Sequence, residues 1–451
     1  MARVLSLSLL SLGQLLACGA VPPPVQAPPE VALETQTVVL VIACTFRADR
    51  TSVYGNTRNT TPYLRALAEQ GVVMEDMISN APWTRPAVAS LISGQYPARL
   101  GVDDELSEIN SNRGLHPAVV TVAERFQEAG WNTVGATANP NANAVFGMSQ
   151  GFDAYHQASG LWREGYLKVE GEQLLDGWEA EAEKVQGKLF TQLVVVDTHK
   201  PLAQEARRPR GFGFWVFVNP GLADRYDAAL RVLDRTLADL DRRLTEMGRS
   251  DRLLVVIGDH GEGLNEPEWA GHAHGRFLYD GTLRVPWVMH GPGVPQGVRV
   301  AGLASSVDLH PTLLELAGLP MGVEMDGQSV VPFFTREPAA TDKEWVFSET
   351  YFAADHRQRV STLEWSLFLT HEGLIPRGSV GLYEWGDLEQ SDSMHLENPK
   401  VVEELSAKAV ALSELLRAER QILDLEPLEP GLILSLEALG YVDKRPAPKS
   451  P

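Results

Sequence analysis

The chain has 451 residues, of which 44% are hydrophobic and 22% are charged, an ordinary composition for a globular protein. Its length allows one large α/β domain with an appendage, or two or three smaller domains, and its two cysteines exclude a disulfide framework. The formal net charge of −20 argues against nucleic acid as a partner, because a broad basic surface is needed to bind a phosphate backbone.

The N-terminal residues 1–17 are typical of a cleaved signal peptide. Arg3 supplies a positive charge, and the apolar run at residues 4–16 is too short to span a bilayer. The ending "LLAC" resembles a bacterial lipobox, which predicts that Cys18 is lipid-modified; an ordinary signal peptide with an incidental cysteine is the alternative. Residues 18–36 are Pro-rich and fit a tether. We therefore expect an exported protein that meets a membrane only through a lipid anchor, at the periplasmic or outer-membrane face of a bacterial envelope.

Apolar runs typical of strands alternate with helix-like segments from residue 37 to about residue 335. Strands are predicted at residues 37–43, 72–79, 132–139, 212–220, 251–263 and 284–294. Helices are predicted at residues 60–71, 86–94, 118–130, 223–248 and 305–320. This alternation predicts an α/β fold, with a mostly parallel central sheet that carries helices on both faces, as a main domain over residues 37–335.

The pattern changes after about residue 336. The segments 361–373 and 379–388 are typical of paired antiparallel strands, and a helix is predicted over residues 398–421. We predict a small C-terminal α+β subdomain over residues 336–441, packed on the main sheet and followed by a tail at residues 442–451.

Polar residues follow two of the predicted strands, at the edge where open α/β folds place their chemistry. The first strand runs into Cys44. The apolar strand in "VVIGDHGEG" (255–263) delivers Asp259 and His260, which are a plausible pair of divalent-metal ligands, with a solvated turn as the alternative. His272 and His274 are close enough in sequence to return to the same pocket.

Thr84 lies just before a predicted helix. The N–H groups and the dipole of a helix N-terminus favour an anion and lower the pKa of a nucleophile. A simple helix-capping role is the alternative, because threonine is a common N-cap residue. The residues alone leave both interpretations open.

An ordered set of motifs over residues 37–440 resembles the sulfatase family of the alkaline-phosphatase-like superfamily. The segment "FRADRTSVYGNTRNTTPYLRALAEQGVVMED" resembles the N-terminal motif of that family, and "PWTRPAVASLISGQYP" resembles its nucleophile segment. "GDHGEGLNE" and "HGRFLYDGTLRVPWVMHGPGV" resemble its metal and histidine block, and "SSVDLHPTLLELAGLPMGVEMDGQSVVPFF" and "LEALGYVD" are further landmarks. The resemblance implies the sulfatase fold and hydrolysis of sulfate, phosphate or phosphonate esters, with a sulfated or phosphorylated small molecule or glycan as the partner.

Carried over residue by residue, the resemblance assigns Asp259 and His260 to the metal, and His274 to the leaving group or sulfate. Arg47 is also retained, beside the position of the first metal ligand, and the resemblance assigns it to the catalytic residues with Thr84 and His274. That ligand is an aspartate in the family, whereas this chain has Cys44. The implied cofactor is one divalent metal ion.

The nucleophile motif departs from the family pattern. The family carries Cys/Ser-x-Pro-Ser-Arg and converts its first residue to formylglycine, whereas this chain has Thr84, Arg85, Pro86, Ala87 and Val88. No formylglycine is expected, because oxidation of a threonine gives a ketone; Thr84 remains usable as an alkoxide nucleophile. Val88 cannot replace the arginine that orients the nucleophile and stabilises its charge.

A third departure follows the predicted strand at residues 212–220. Family members commonly carry Asp-Pro-His there, whereas this chain has Asn219, Pro220 and Gly221. The histidine is therefore expected to be missing, with His199 and Lys200 as candidate replacements.

Three interpretations follow. In the first, Cys44, Thr84, Asp259 and His260 surround one ion in a working hydrolase, and the thiolate favours zinc over calcium. In the second, the chain is a divergent family member whose degraded site has impaired or lost catalysis, a pseudoenzyme in which Cys44 is a small buried hydrophobe. In the third, a lipid-anchored structural or binding protein uses another surface. The three departures favour the second interpretation.

Overall fold

The computed structural model describes residues 36–102, 113–158, 169–200, 202, 221–266, 274–352, 355–372, 377–387, 390, 392–425 and 428–438. The strands in this part of the chain are β1 (Thr37–Ala43), β2 (Val72–Ile78), β3 (Asn132–Thr137), β4 (Ala154–Gln157), β5 (Leu189–Val195), β6 (Leu253–Gly258), β7 (Trp287–His290), β8 (Val298–Ser305), β9 (Val346–Phe352), β10 (Asp355–Ser361), β11 (Trp365–Glu372) and β12 (Val380–Glu384). The α-helices are α1 (Pro62–Glu69), α2 (Thr84–Ser93), α3 (Pro97–Leu100), α4 (Val122–Glu128), α5 (Gly171–Ala182), α6 (Leu222–Glu246), α7 (Asp280–Leu283), α8 (Leu309–Leu316), α9 (Pro399–Ala418) and α10 (Pro430–Ala438).

Eight strands form the central sheet, in the order β4-β3-β5-β1-β6-β7-β2-β8. All neighbours pair in parallel except β7, which is antiparallel to both β6 and β2. Every residue of β1 is buried, as expected for a strand covered on both faces. Because β5 and β6 flank β1 in parallel, the chain leaves all three strands at the same edge of the sheet.

The helices pack in two groups, as expected for helices on both faces of a sheet. Helices α1 and α5 contact α6, whereas α2, α4 and α8 contact one another. The expected α/β architecture with a mostly parallel sheet is therefore confirmed.

A second, antiparallel sheet follows, in the order β12-β11-β10-β9, with α9 packed on β10 and β11. It has its own hydrophobic cluster, which includes Phe347, Leu367 and Leu405. The expected C-terminal antiparallel pair, β11 and β12, is present, although the sequence patterns did not identify β9 and β10.

Several expectations lie outside the described residues. These are the signal peptide at residues 1–17, nearly all of the tether at 18–36, the strand at 212–220 and the tail at 442–451. Lipid modification of Cys18 therefore stays a prediction, as do the domain boundaries. Within the described ranges, no helix combines the length and the apolar character that crossing a membrane requires.

Candidate active site

Four side chains from three separate parts of the chain meet at the edge of the central sheet where β1 and β6 end. Cys44 follows β1, Asp259 and His260 follow β6, and Thr84 begins α2. Cys44 Sγ lies 3.3 Å from Thr84 Oγ1 and 3.8 Å from His260 Nε2. Thr84 Oγ1 lies 3.3 Å from His260 Nε2. The ligand atoms of Cys44, Asp259 and His260 all lie within 4.8 Å of one another, so the structure brings together the four residues that the first interpretation places around one ion.

Helix α2 sets the position of the Thr84 hydroxyl. The helix begins two residues earlier than predicted, because Trp83 has an extended backbone (φ −154°, ψ 158°) and is the N-cap residue. Thr84 is therefore not the cap, and its Oγ1 contacts Cys44 and His260 instead. The partial positive charge of the helix N-terminus favours negative charge near this oxygen. Val88, on the next turn, is fully buried in the hydrophobic core and donates nothing to the site.

Backbone groups fix the Asp259 carboxylate and the His260 ring. Asp259 Oδ1 accepts hydrogen bonds from the backbone N–H groups of Thr45 (3.2 Å) and His260 (2.6 Å). Its Oδ2 lies 3.5 Å from His260 Nε2 and has no hydrogen-bond partner in the described part of the chain. His260 Nδ1 lies 2.7 Å from the carbonyl oxygen of Gly261. Because a carbonyl only accepts, Nδ1 carries the hydrogen and Nε2 presents its lone pair to the other site atoms.

The turn after Cys44 has an unusual backbone. Thr45 has φ 55°, in the left-handed region that β-branched residues rarely adopt. Its hydroxyl donates to the Cys44 carbonyl at 2.7 Å, and the Thr198 hydroxyl donates to the same oxygen at 2.5 Å. In this conformation the Thr45 N–H reaches Asp259, so the turn ties the end of β1 to the end of β6.

The cluster fits a divalent metal ion. Burial raises the pKa of the Cys44 thiol and of the Asp259 carboxyl group, and it lowers the pKa of His260, so all three groups disfavour their charged forms. A bound cation would offset this desolvation for the two anions. Asp259 Oδ2, a buried acceptor without a donor in the described residues, is an atom that an ion would satisfy. Thiolate, carboxylate and imidazole are also a common set of metal ligands.

A pair of histidines borders the cluster. His274 Nδ1 lies 3.1 Å from Glu262 Oε1, and the centroid of its ring is 4.7 Å from that of His260. His199, in the loop after β5, has its ring centroid 5.0 Å from that of His274. Its Nδ1 lies 2.5 Å from the carbonyl oxygen of Lys200. Burial, and next the neighbouring His274, lower the pKa of His199 well below its usual range.

The loop after β5 therefore places His199, one of the two candidate replacements for the missing histidine, beside His274. The sequence patterns did not identify β5 as the strand beside β1, and the replacement itself stays a prediction. Asn219, Pro220 and His272 lie outside the described residues.

Arg47 is buried beside the site, but its hydrogen bonds go to residues outside the four-residue cluster. Its Nε and Nη2 donate to the Asp49 carboxylate at 2.9 and 2.8 Å. Its Nη1 donates to the carbonyl oxygen of Glu262 at 3.0 Å and to Glu266 Oε2 at 2.7 Å. Among the bonds of the described residues, none joins Arg47 to Thr84. These contacts hold Arg47 at the tip of β1, and the catalytic role that the resemblance assigns to it stays a prediction.

Asn139 is a site residue that the sequence analysis missed. It follows β3, and its Nδ2 lies 3.2 Å from Cys44 Sγ and 3.1 Å from Thr84 Oγ1. The available signal was its place at the end of a predicted strand, at the same edge of the sheet. An asparagine before a proline is typical of a turn, however, and nothing in the local sequence distinguishes this asparagine from an ordinary turn residue.

Comparison with known proteins identifies the family. The family described as Sulfatase matches residues 36–319. Steryl-sulfatase of Mus musculus is 24% identical over 466 residues, covering 79% of this chain and 74% of that protein. Arylsulfatase K of Danio rerio is 31% identical over 132 residues, so the match covers 28% of this chain and only 24% of that protein.

Solved structures of low sequence identity share the fold. The phosphonate monoester hydrolase of Agrobacterium radiobacter superposes with a TM-score of 0.68 and 17% identity, over 86% of this chain and 97% of that one. A protein solved with its substrate D-glucosamine-2-N,6-O-disulfate superposes with a TM-score of 0.67 and 15% identity, over 85% and 99%. This chain belongs to the sulfatase family, within the alkaline-phosphatase-like superfamily.

Proposed function

We propose that this protein is a metal-dependent hydrolase of phosphate or phosphonate esters, with Thr84 as its nucleophile. The observation that carries the proposal is the position of Thr84 Oγ1, 3.3 Å from both Cys44 Sγ and His260 Nε2. Buried polar side chains cost free energy unless their partners are arranged around them. Their concentration around one hydroxyl, at the edge of the sheet where the family resemblance puts the nucleophile, supports a retained chemical role.

Cys44, Asp259 and His260 would hold the metal ion. Sulfur, nitrogen and oxygen donors together suit zinc, whereas calcium takes oxygen ligands. When bound, a divalent ion would favour the deprotonated form of a neighbouring hydroxyl and neutralise charge on the ester.

A threonine nucleophile favours attack on the phosphorus of a phosphate or phosphonate ester over attack on the sulfur of a sulfate ester. Without an aldehyde, Thr84 acts as a simple alkoxide: Oγ1 forms a bond to phosphorus while the bond from phosphorus to the alcohol oxygen breaks. The alcohol leaves with the proton that the Thr84 hydroxyl released. Water then splits the phosphorylated or phosphonylated threonine, which yields phosphate or the phosphonate and restores the hydroxyl. The fold shared with a phosphonate monoester hydrolase supports this substrate class.

His274 would handle the leaving-group proton, and His199 would contact the ester. Because the Glu262 carboxylate faces Nδ1 of His274, Nε2 is the nitrogen that would deliver a proton to the departing alcohol. In His199 the Lys200 carbonyl likewise faces Nδ1, so Nε2 presents a lone pair in the neutral ring and would donate to an ester oxygen once it is protonated. These two rings would perform the role of the family histidines.

Loss of catalysis is the second candidate, and a specific observation favours it. Cys44, Thr84, Asp259 and His260 are all inaccessible to solvent, at 0% exposure. The Asn139 amide also bonds to both Cys44 and Thr84, so protein groups already satisfy these atoms. In a pseudoenzyme that keeps the fold, these polar atoms would need neither a metal ion nor a substrate as a partner.

Turnover by wild type and a Thr84→Ala variant separates the two candidates. Purified protein would be assayed with zinc, manganese or calcium on 4-nitrophenyl phosphate, a 4-nitrophenyl phosphonate ester and 4-nitrophenyl sulfate. We expect wild-type turnover of the phosphorus esters and a loss of at least about 10³-fold in Thr84→Ala. Thr341→Ala is the control, because it removes a hydroxyl bond away from the site, the partly buried one to the Leu303 carbonyl at 2.8 Å. Equal rates in Thr84→Ala and wild type would exclude Thr84, and no turnover with any metal would favour the pseudoenzyme.

A further inference from the structure

The site lacks the donor that normally orients the nucleophile. In the motif that this chain resembles, an arginine performs that task, but Val88 occupies its position and packs into the hydrophobic core. A hydroxyl without an oriented donor samples several rotamers, which weakens catalysis that depends on geometry. If Thr84 reacts, another group must hold its oxygen.

The Asn139 carboxamide occupies this place. Its Nδ2 lies 3.1 Å from Thr84 Oγ1 and 3.2 Å from Cys44 Sγ, so one amide nitrogen contacts both atoms. A side-chain amide nitrogen carries two hydrogens and only donates. Thr84 Oγ1 and Cys44 Sγ both carry negative charge when deprotonated. The amide therefore stabilises the charged form of each.

Neighbouring backbone fixes the orientation of this amide. Asn139 Oδ1 accepts a hydrogen bond from the Asn141 backbone N–H at 2.9 Å, so the NH2 group faces the cluster. The Asn139 backbone N–H donates to Thr137 Oγ1 at 3.0 Å. Pro140 then opens a short 3-10 turn, in which it, Asn139 and Asn141 are all buried. The amide is thus held before any substrate binds.

Arg85 joins this turn to the helix that carries Thr84. Its Nη2 donates to Asn141 Oδ1 at 3.1 Å, and its guanidinium carbon lies 3.6 Å from the centroid of the Phe146 ring. Arg85 is 4% exposed, so its charge acts in a region of low dielectric constant. The positive charge missing at position 88 is therefore present three residues earlier, and it acts through the 139–141 turn.

We propose that Asn139 is a catalytic residue that donates a hydrogen bond to the Thr84 nucleophile, with Arg85 as the positioning residue behind it; this rests on the proposed hydrolase function. The arrangement takes over the task of the arginine that Val88 replaces. It also places one donor on the nucleophile and on the sulfur ligand together, so loss of Asn139 alters both turnover and metal binding.

The test compares Asn139→Leu with Asn143→Leu on the ester that wild type hydrolyses. The control removes an asparagine from the same stretch, whose Oδ1 accepts from the Val145 N–H within its own turn. We expect kcat to fall about 10²-fold in Asn139→Leu, with KM unchanged, and wild-type kinetics in Asn143→Leu. Asn139→Ser keeps a hydrogen-bond donor on a shorter side chain and should retain an intermediate kcat. If Asn139→Leu does not fold, Asn139→Ser replaces it in the comparison.

Cobalt(II) gives a readout that does not depend on turnover. Bound by Cys44, cobalt shows a thiolate charge-transfer absorption band, which we expect to weaken or shift in Asn139→Leu and to remain unchanged in Asn143→Leu. Wild-type turnover with identical kinetics and spectra in the two leucine variants would overturn the role of Asn139 and leave the hydrolase function standing. A wild type with neither turnover nor a cobalt band would overturn the hydrolase function itself, and the role of Asn139 with it.

Discussion

Cys44 Sγ and Thr84 Oγ1 lie 3.3 Å apart, although 40 positions separate the two residues in the chain. Each stands where the family resemblance implies a different residue, an aspartate for Cys44 and a cysteine or serine for Thr84. Their contact places the first two departures within one cluster. His199, a candidate replacement for the histidine of the third departure, lies beside His274, with 5.0 Å between the ring centroids.

Metal preference should depend on Cys44. We expect zinc to raise the midpoint of thermal unfolding more than calcium does, because a thiolate prefers zinc. At a free zinc concentration of about 100 times Kd, the free energy of unfolding should rise by about 2.7 kcal/mol. Cys44→Asp should reverse the preference, and Cys44→Ala should weaken the response to both ions. Differential scanning fluorimetry with zinc, calcium or chelator measures this, and an unresponsive wild-type midpoint would contradict the metal site.

The effect of His274 should depend on the leaving group. If Nε2 of His274 protonates the departing alcohol, His274→Gln should lower kcat about 10²–10³-fold for an alkyl ester. A 4-nitrophenyl ester needs little protonation and should lose much less. His199→Gln should slow both esters alike, because this ring would contact the ester oxygens. His116→Gln, a partly exposed histidine in a loop, is the control. Equal losses on both esters in His274→Gln would exclude its role as the proton donor.

Arg47 should matter for stability. Its side chain is fully buried and bridges Asp49 and Glu266, so Arg47→Met leaves two carboxylates without their partner. We expect the free energy of unfolding to fall by about 3 kcal/mol, at the low end for a buried ion pair because both acids are partly exposed. Arg299→Met breaks an exposed pair with Glu75 and should cost at most about 0.5 kcal/mol. Urea denaturation with chelator present measures both, and equal costs would contradict the structural role.

His310 should make the protein less stable in mild acid. Burial lowers its pKa from 6.5 to about 4. Between these two values the unfolded chain binds a proton that the folded chain does not, so stability falls as pH falls from 6.5 toward 4. Between pH 7.5 and 5.5 the contribution of His310 amounts to about 1 kcal/mol. His310→Gln cannot titrate, so its free energy of unfolding should fall that much less than that of wild type. An identical loss in both proteins would refute this assignment.

The sequence predicted a strand correctly where the polarity of its residues matched their burial. Strand β1 is apolar after its first residue, Thr37, and its predicted bounds are the observed ones. Strand β5 was missed, because Thr191 and Gln192 interrupt its apolar run although both are buried. Tertiary contacts account for Thr191: its hydroxyl donates to the Val134 carbonyl and accepts from Trp178 Nε1, both at 2.7 Å. Such partners cannot be read from local patterning.

The site could be predicted where its residues follow parallel strands, because the carboxyl ends of parallel strands lie at the same edge of the sheet. Cys44, Asp259 and His260 follow strands that were predicted correctly, and the parallel arrangement brings them together. Asn139 and His199 were harder, because each lies in a turn whose residues look ordinary for a turn. Their roles depend on which side chains face them across the sheet edge, and that is settled by strand order.

The left-handed turn at Thr45 separates the anchoring of the backbone at position 44 from the contacts of the side chain there. The Thr45 and Thr198 hydroxyls bond to the carbonyl of residue 44, whereas the buried thiol contacts Thr84, His260 and Asn139. A protein engineer who exchanges the metal through position 44 would therefore keep these backbone bonds and would have to repack the side chains around the thiol.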